Sequence, residues 1–312
     1  MSGEKDSVTE KMILIMGCTA CGKGKLAFEL ARRVGGYILS VDSMKVYRRM
    51  DIGTAKPDSA AREAVRNYMI DIVEPYDDSF GLGRFVELAE QAIAEAQKQQ
   101  RPIIAVGGTA LYIRGLLEGV FDGPSSDPDI RDRLKQEADD TGLAALHKCL
   151  CRVDPDAARR IHPNDAKRII RALEVYELTG KSISSFQKQF RSGQYKHNWH
   201  LIGLRRDKEE NNHRINQRVK RMIEQGLVDE VKSLLAEPQG LSPQAAQAVG
   251  YAEIIDHLKG KISLADAVEK IKINTRRFAK HQRTWFRTFN DVHWLDVKLD
   301  ETAEELANQV LK

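Results

Sequence analysis

The amino-acid sequence predicts an α/β fold on a parallel sheet, interrupted by an all-helical insertion, and three observations carry that prediction. The apolar run 13–16 breaks at GCTACGK (17–23) and resumes with Leu26, Phe28 and Leu30 in a helix-forming segment, which reads as strand, glycine loop and helix. The run IIAV (103–106) has the all-apolar character that a strand buried on both faces requires, and GGT (107–109) turns it directly into the helical segment 111–117. Residues 129–190, by contrast, hold several helical periods and almost no β-branched run.

The first of these units carries the chemistry. In the pattern G-x-x-x-x-G-K, formed by Gly17, Cys18, Thr19, Ala20, Cys21, Gly22 and Lys23, the glycines let backbone N–H groups turn inward around phosphate oxygens. The helix N-terminus that follows adds partial positive charge, and Lys23 would reach the terminal phosphate as a point charge. The Ser or Thr that normally follows this lysine and holds Mg²⁺ is Gly24.

Further along, residues 37–41 read as a second strand with Asp42 and Ser43 at its C-terminal end, where parallel sheets bind ligands. Lys45, Tyr47, Arg48 and Arg49 follow, then a glycine and proline loop over 51–57 and a third short apolar run at 70–73. Apolar residues at 85, 88, 89, 92, 93 and 96 predict a helix over 85–100, closed by Arg101 and Pro102. Turn residues at 121–128 mark a break. The expected division is a sheet core over 11–122 and 198–312, with a helical insertion over 123–197.

Within the insertion a helix is predicted over 164–180, from an Asn or Asp start to a glycine stop. Ile169, Leu173 and Tyr176 share one face, and Lys167, Arg168 and Arg171 project from the other. A strand at 199–204 returns to the sheet, and helices follow over about 212–235, 243–258 and 263–289.

Composition narrows the class. With 312 residues and 42% hydrophobic content the chain can bury a large core. No apolar run reaches the roughly 20 residues that span a bilayer, and the polar start has no secretory apolar region, so a cytoplasmic protein with no membrane partner is expected, acting as a monomer. Four cysteines, at 18, 21, 149 and 151, agree with a reducing compartment; the 18/21 pair has redox-motif spacing but lies inside the phosphate loop, and the 149/151 pair lacks a partner His or Cys at zinc-finger spacing. The net charge of +4 is mild, but residues 270–287 hold seven Lys or Arg and no acid, interleaved with Phe278, Trp285 and Phe286. Such a run can neutralise phosphates and offer rings for base stacking. Together these features suggest a transferase that joins a small diphosphate compound to a nucleic acid.

Six stretches, in order and spacing, resemble the tRNA dimethylallyltransferase family: GCTACGKGKLAFELA, SVDSMKVYRRMDIGTAKP, VGGTALYIRGLLEGV, HPNDAKRIIRALEVYELTGK, HRINQRVKRM and IKINTRRFAKHQRTWFR. The similarity runs over about 12–294. It implies a P-loop NTPase-like core resembling nucleotide kinases, with the helical insertion clasping the tRNA anticodon stem-loop. It implies transfer of a dimethylallyl group from dimethylallyl diphosphate to N6 of the adenosine 3′ of the anticodon, with Mg²⁺. By the same resemblance Asp42 is the candidate base and Thr109 lies near the reacting groups, while Arg214 and Arg218 hold diphosphate together with the loop 17–24. Asp42, Ser43, Met44, Lys45, Thr109, Arg131, Lys167, Arg168, Ile169, Ile170 and Arg171 match tRNA-contacting positions.

The chain departs from the family pattern at Gly24, at Lys45 where Gln is usual, at Asn67-Tyr68 where a His pair is usual, and at Cys18 and Cys21. Loss of the hydroxyl at 24 removes one Mg²⁺ ligand, which water could replace at some cost in affinity. A tRNA-binding relative with lost or weak catalysis therefore stands as the alternative reading.

Overall fold

The computed structural model describes residues 12–120, 123–124, 126–187 and 195–312. The break expected at 121–128 and the end of the helical stretch read to 190 thus fall partly outside the described residues, as does the polar start. The chain divides into two compact units, one of residues 1–117 and 195–312 and one of residues 118–194.

The larger unit begins with β1 (Met12–Gly17), α1 (Lys23–Val34), β2 (Tyr37–Val41), α2 (Ser59–Ala64), β3 (Asn67–Tyr68), α3 (Leu82–Lys98), β4 (Ile103–Gly107) and α4 (Ala110–Glu118). The smaller holds α5 (Pro128–Thr141), α6 (Leu143–Val153), α7 (Pro155–Arg160), α8 (Ala166–Thr179) and α9 (Ile183–Gln187). The larger unit resumes with β5 (Trp199–Arg205), α10 (Lys208–Glu224), α11 (Leu227–Ala236), α12 (Pro243–Ala246), α13 (Tyr251–Leu258), α14 (Leu264–Phe286), β6 (His293–Asp296) and α15 (Ala303–Val310).

The six strands form one sheet in the order β3-β2-β4-β1-β5-β6, with every pairing parallel. Leu14, Ile15 and Met16 on β1 and Ile104 and Ala105 on β4 are fully buried, as strands covered on both faces must be. The C-terminal ends of β1, β2 and β4 therefore lie side by side, and the glycine loops that leave β1 and β4 share one edge.

Local backbone chemistry explains where the elements differ from the expected ones. Residues 70–73 are no strand, because Met69 and Asp71 adopt positive φ of 65° and 56°, which breaks an extended chain. The strand is β3, made by Asn67 and Tyr68, and Val73 keeps only an isolated bridge to Tyr47. The helices expected over 212–235 and 243–258 are each two, divided at Gly226 (φ 96°) and Gly250 (φ 100°), positive-φ conformations that glycine adopts at little cost. β6 has no counterpart among the expected strands, since its HWLD sequence mixes polar and apolar residues.

In the smaller unit, Leu134, Leu146, Leu150, Ile169, Leu173 and Val175 form a core of its own. Two buried carboxylates organise it. Asp154 caps α7 through Ala157 N at 2.9 Å and accepts Ser184 N at 2.9 Å. Glu174, fully buried on α8, accepts Asp127 N at 2.7 Å and pairs with Arg171 at 2.6 Å and Arg131 at 2.9 Å. Burial works to raise the Glu174 carboxyl, and the Arg171, Asp127 and Arg131 contacts outweigh it, so it lies below the usual carboxylate range.

Candidate active site

The loop between β1 and α1 is wound so that its carbonyls face the protein. Lys23 Nζ donates to Cys18 O at 3.2 Å, Asn211 Nδ2 to Thr19 O at 3.3 Å, Arg214 Nε to Ala20 O at 3.0 Å and Arg206 Nε to Cys21 O at 3.4 Å. Ala20 (φ 65°) and Gly22 (φ 108°) take left-handed conformations that turn successive amides toward the concave side. Gly22, Lys23 and Gly24 open α1, where N–H groups have no intrahelical acceptor. The result is an anion cradle at a helix N-terminus, lined by cations that α10 supplies. Gly17 has a separate reason to be glycine: a Cβ there would lie 2.7 Å from Cys21 Sγ and 3.0 Å from Leu204 O.

Cations press closely enough to shift one another. Desolvation lowers Arg218 and Lys45, in each case against the opposing pull of Asp42. Lys45 falls to about 8, with Lys23, Arg218 and Lys56 adding repulsion. Burial also lowers Arg214, and Arg206 adds to that effect. Arg218 donates to Thr19 Oγ1 at 3.3 Å. The sequence-predicted diphosphate group of 17–24, Arg214 and Arg218 is therefore gathered at one end of the sheet.

Asp42 ends β2 beside this cradle. Its Oδ1 accepts Met44 N at 2.9 Å and Lys45 N at 3.3 Å, which fixes the carboxylate against its own turn and leaves Oδ2 for a ligand. Thr109 Oγ1 accepts Ser43 N at 3.1 Å and donates to Ser43 Oγ at 3.4 Å, tying the GGT loop to the end of β2. Gly107 must be glycine, since its Cβ would fall 2.0 Å from Val41 O.

Cys18 and Cys21 are both buried and share a hydrogen bond. That bond, helped by burial, raises Cys18, while the same bond lowers Cys21 against its desolvation, with Lys23 and Arg206 assisting. Among the described residues no group of three or more His, Cys, Asp or Glu could hold a metal ion. A Cβ placed on Gly24 would meet nothing within 4 Å, so the loop has room for the hydroxyl that is missing. A divalent metal at this loop would therefore rest chiefly on diphosphate oxygens and water.

Sequence reasoning missed three residues here. Asn211 and Arg206 hold loop carbonyls, and Gln282 on α14 accepts Thr19 N at 2.8 Å while donating to Gly108 O at 2.8 Å. Gln282 is one of several uncharged polar residues in the basic run 270–287, beside Asn274, Thr275 and Thr284, so the run alone does not single it out. Of the aromatics in that run, Phe286 is core, whereas Phe278 and Trp285 are exposed, with Arg114 stacked 5.5 Å from the Trp285 ring.

The helical unit sorts its RNA candidates differently. Lys167 is exposed, and Arg168 has a 63% exposed side chain with only an i,i+3 contact to Asp165. Arg131 and Arg171 are engaged with Glu174, and Arg171 also donates to Pro124 O at 2.8 Å. Ile169 and Ile170, also expected at the RNA, are 0% and 8% exposed, so their side chains pack into the helical core. Tyr176, expected to share the buried face, is exposed, because residues 169 and 173 already fill the core layer.

The family model described as IPP transferase matches residues 45–289. A tRNA dimethylallyltransferase of Acetivibrio thermocellus is 45% identical over 95% of each chain. The solved full-length tRNA isopentenylpyrophosphate transferase of Bacillus halodurans is 39% identical, with a TM-score of 0.69 over 96% of this chain and 95% of that one. A eukaryotic dimethylallyltransferase, solved acting on tRNA, is 27% identical with a TM-score of 0.82 over 97% of this chain and 78% of its own. With a parallel-sheet core, a phosphate cradle and this likeness along nearly its whole length, the chain belongs to the tRNA dimethylallyltransferase family.

Proposed function

We propose that the chain, acting as a cytoplasmic monomer, transfers a dimethylallyl group from dimethylallyl diphosphate to N6 of the adenosine 3′ of the tRNA anticodon. The observation that carries this reading is the anion cradle at 17–24 facing a carboxylate and a threonine at the ends of β2 and β4. The N6 lone pair forms a bond to the allylic carbon as that carbon's bond to oxygen breaks, and pyrophosphate leaves with the electron pair. Amide groups of the loop, Lys23, Arg214 and Arg218 stabilise the charge that grows on the leaving oxygens. Asp42 takes the N6 proton through its Oδ2, since Oδ1 is held by two backbone amides. Bound Mg²⁺ would neutralise further charge on the diphosphate.

For the RNA, Lys167 and Arg168 on α8 are the phosphate-neutralising candidates, with Arg131 and Arg171 set behind them by their tie to Glu174. Asp42, Ser43, Met44, Lys45 and Thr109 would meet the target adenosine. The test is mass analysis of nucleosides from tRNA incubated with the protein, dimethylallyl diphosphate and Mg²⁺. An adenosine heavier by one isoprene unit next to the anticodon is the expected product, and unmodified tRNA across all Mg²⁺ concentrations would overturn the reading.

A further inference from the structure

Two glycine loops meet at the C-terminal edge of the sheet, and one side chain bonds to both. Gln282 Oε1 accepts Thr19 N at 2.8 Å, and its Nε2 donates to Gly108 O at 2.8 Å. The side chain is only 5% exposed, although it stands on α14 among basic and largely exposed neighbours. A primary amide presents a donor and an acceptor side by side, which is what a backbone N–H on one loop and a C=O on another require together. A carboxylate of the same length offers acceptors alone, and an ammonium offers donors alone.

The loop has been shaped around this amide. Gly108 does not take a left-handed conformation, yet a Cβ there would lie 2.4 Å from Gln282 Nε2, so the space is kept for the side chain. Each end of the bridge leads to a different half of the chemistry. Thr19 belongs to the diphosphate cradle, where its hydroxyl meets Arg218. Gly108 precedes Thr109, which is bonded to Ser43 beside Asp42. Because Gln282 already occupies the Thr19 amide, it acts through the two loops and does not contact substrate.

We propose that Gln282 is a positioning residue: it holds the diphosphate loop in register with the Gly107–Thr109 loop, and so sets the separation between the departing diphosphate and the groups at the end of β2. This rests on the prenyl-transfer reading. Misplacement of reacting groups by about 1 Å can cost on the order of 10²-fold in rate.

The experiment pairs Gln282→Met, which removes both bonds at similar volume, with Gly108→Ala, which drives a Cβ into the amide without altering Gln282. Single-turnover prenylation, inorganic pyrophosphate affinity, tRNA affinity and thermal midpoint are measured for wild type, both variants and the double variant. Each single variant should lose about 10- to 100-fold in single-turnover rate and about 3- to 10-fold in pyrophosphate affinity, while tRNA affinity stays within about 3-fold. The double variant should lose no more than either single one, since both break the same bridge. Additive losses, a wild-type rate in Gln282→Met, or tRNA affinity falling in step with the thermal midpoint would each overturn the positioning role. If either single variant fails to fold, the other still reports the rate and pyrophosphate changes. An inactive wild type would instead overturn the activity reading, and an unchanged pyrophosphate affinity in the folded variants would then overturn the positioning role separately.

Discussion

Basic residues are spent differently in the two units. In the sheet unit, Arg214 and Lys23 donate to loop carbonyls and have no bonded carboxylate, although Glu210, which pairs with Arg206, also acts on Arg214, and Lys23 helps to depress Lys45. In the helical unit, Arg131 and Arg171 share Glu174, a fully buried carboxylate, which offsets one of their two charges and ties both guanidiniums to the fold. A carbonyl partner orients a guanidinium and leaves it available to an anion, whereas a buried carboxylate converts it into part of the fold. A sequence match to a binding position therefore does not say whether a cation is available to bind.

The largest expected effect tests the reacting end of the cradle. Asp42→Asn keeps the oxygen that accepts Met44 N and Lys45 N, so the turn should survive while single-turnover prenylation falls by about 10²-fold or more. A variant with near wild-type rate would remove Asp42 from the role of base. On the other side of the comparison, Arg171→Ala takes one of two guanidiniums from buried Glu174 while Arg131 and Asp127 N remain, and should cost about 1–3 kcal/mol of stability in urea unfolding. Because the folded Glu174 carboxyl is lowered, its contribution is present above the ordinary carboxylate value and is lost as pH falls through the lowered one. Should Arg171→Ala instead weaken RNA binding without touching stability, the contrast between the units fails.

Smaller effects sharpen the cradle. Gly24→Thr has open space for its side chain, so it should lower the Mg²⁺ concentration for half-maximal rate by roughly 5- to 30-fold, the worth of a ligand of about 1–2 kcal/mol. Identical Mg²⁺ curves would show that position 24 does not face the metal. Lys45 should add a pH dependence with a definite sign. Its value is lowered to about 8, so its positive charge is lost as pH rises above that, and tRNA affinity should fall with pH there relative to Lys45→Gln. Parallel pH curves of tRNA binding for the two proteins would exclude the Lys45 ammonium from the RNA contact.

The smallest expected change is on the helical unit. Arg168→Ala should leave stability unaltered and reduce the slope of log affinity for tRNA against log salt by about one, the signature of one lost phosphate contact. An unchanged slope would mean that this helix face is only solvated.

The strand, loop and helix around 12–34, the all-apolar β4, the helical character of 129–187 and the presence of the cradle residues are all legible in the chain before it folds. Those features are local: apolar periodicity, glycine spacing and a lysine at a set offset need no distant partner to be read. Folding was needed to bring Asn211 and Arg206 onto the loop carbonyls, to join through Gln282 two loops 174 and 263 residues away in sequence, and to let Glu174 claim Arg131 from another helix. Packing also turned Ile169 and Ile170 inward, although their neighbours at 167 and 168 face solvent. The physical reason is shared. A hydrogen bond or ion pair between elements distant in sequence leaves no periodic trace in either of them, and only when the fold brings those elements together does a polar residue acquire its partner.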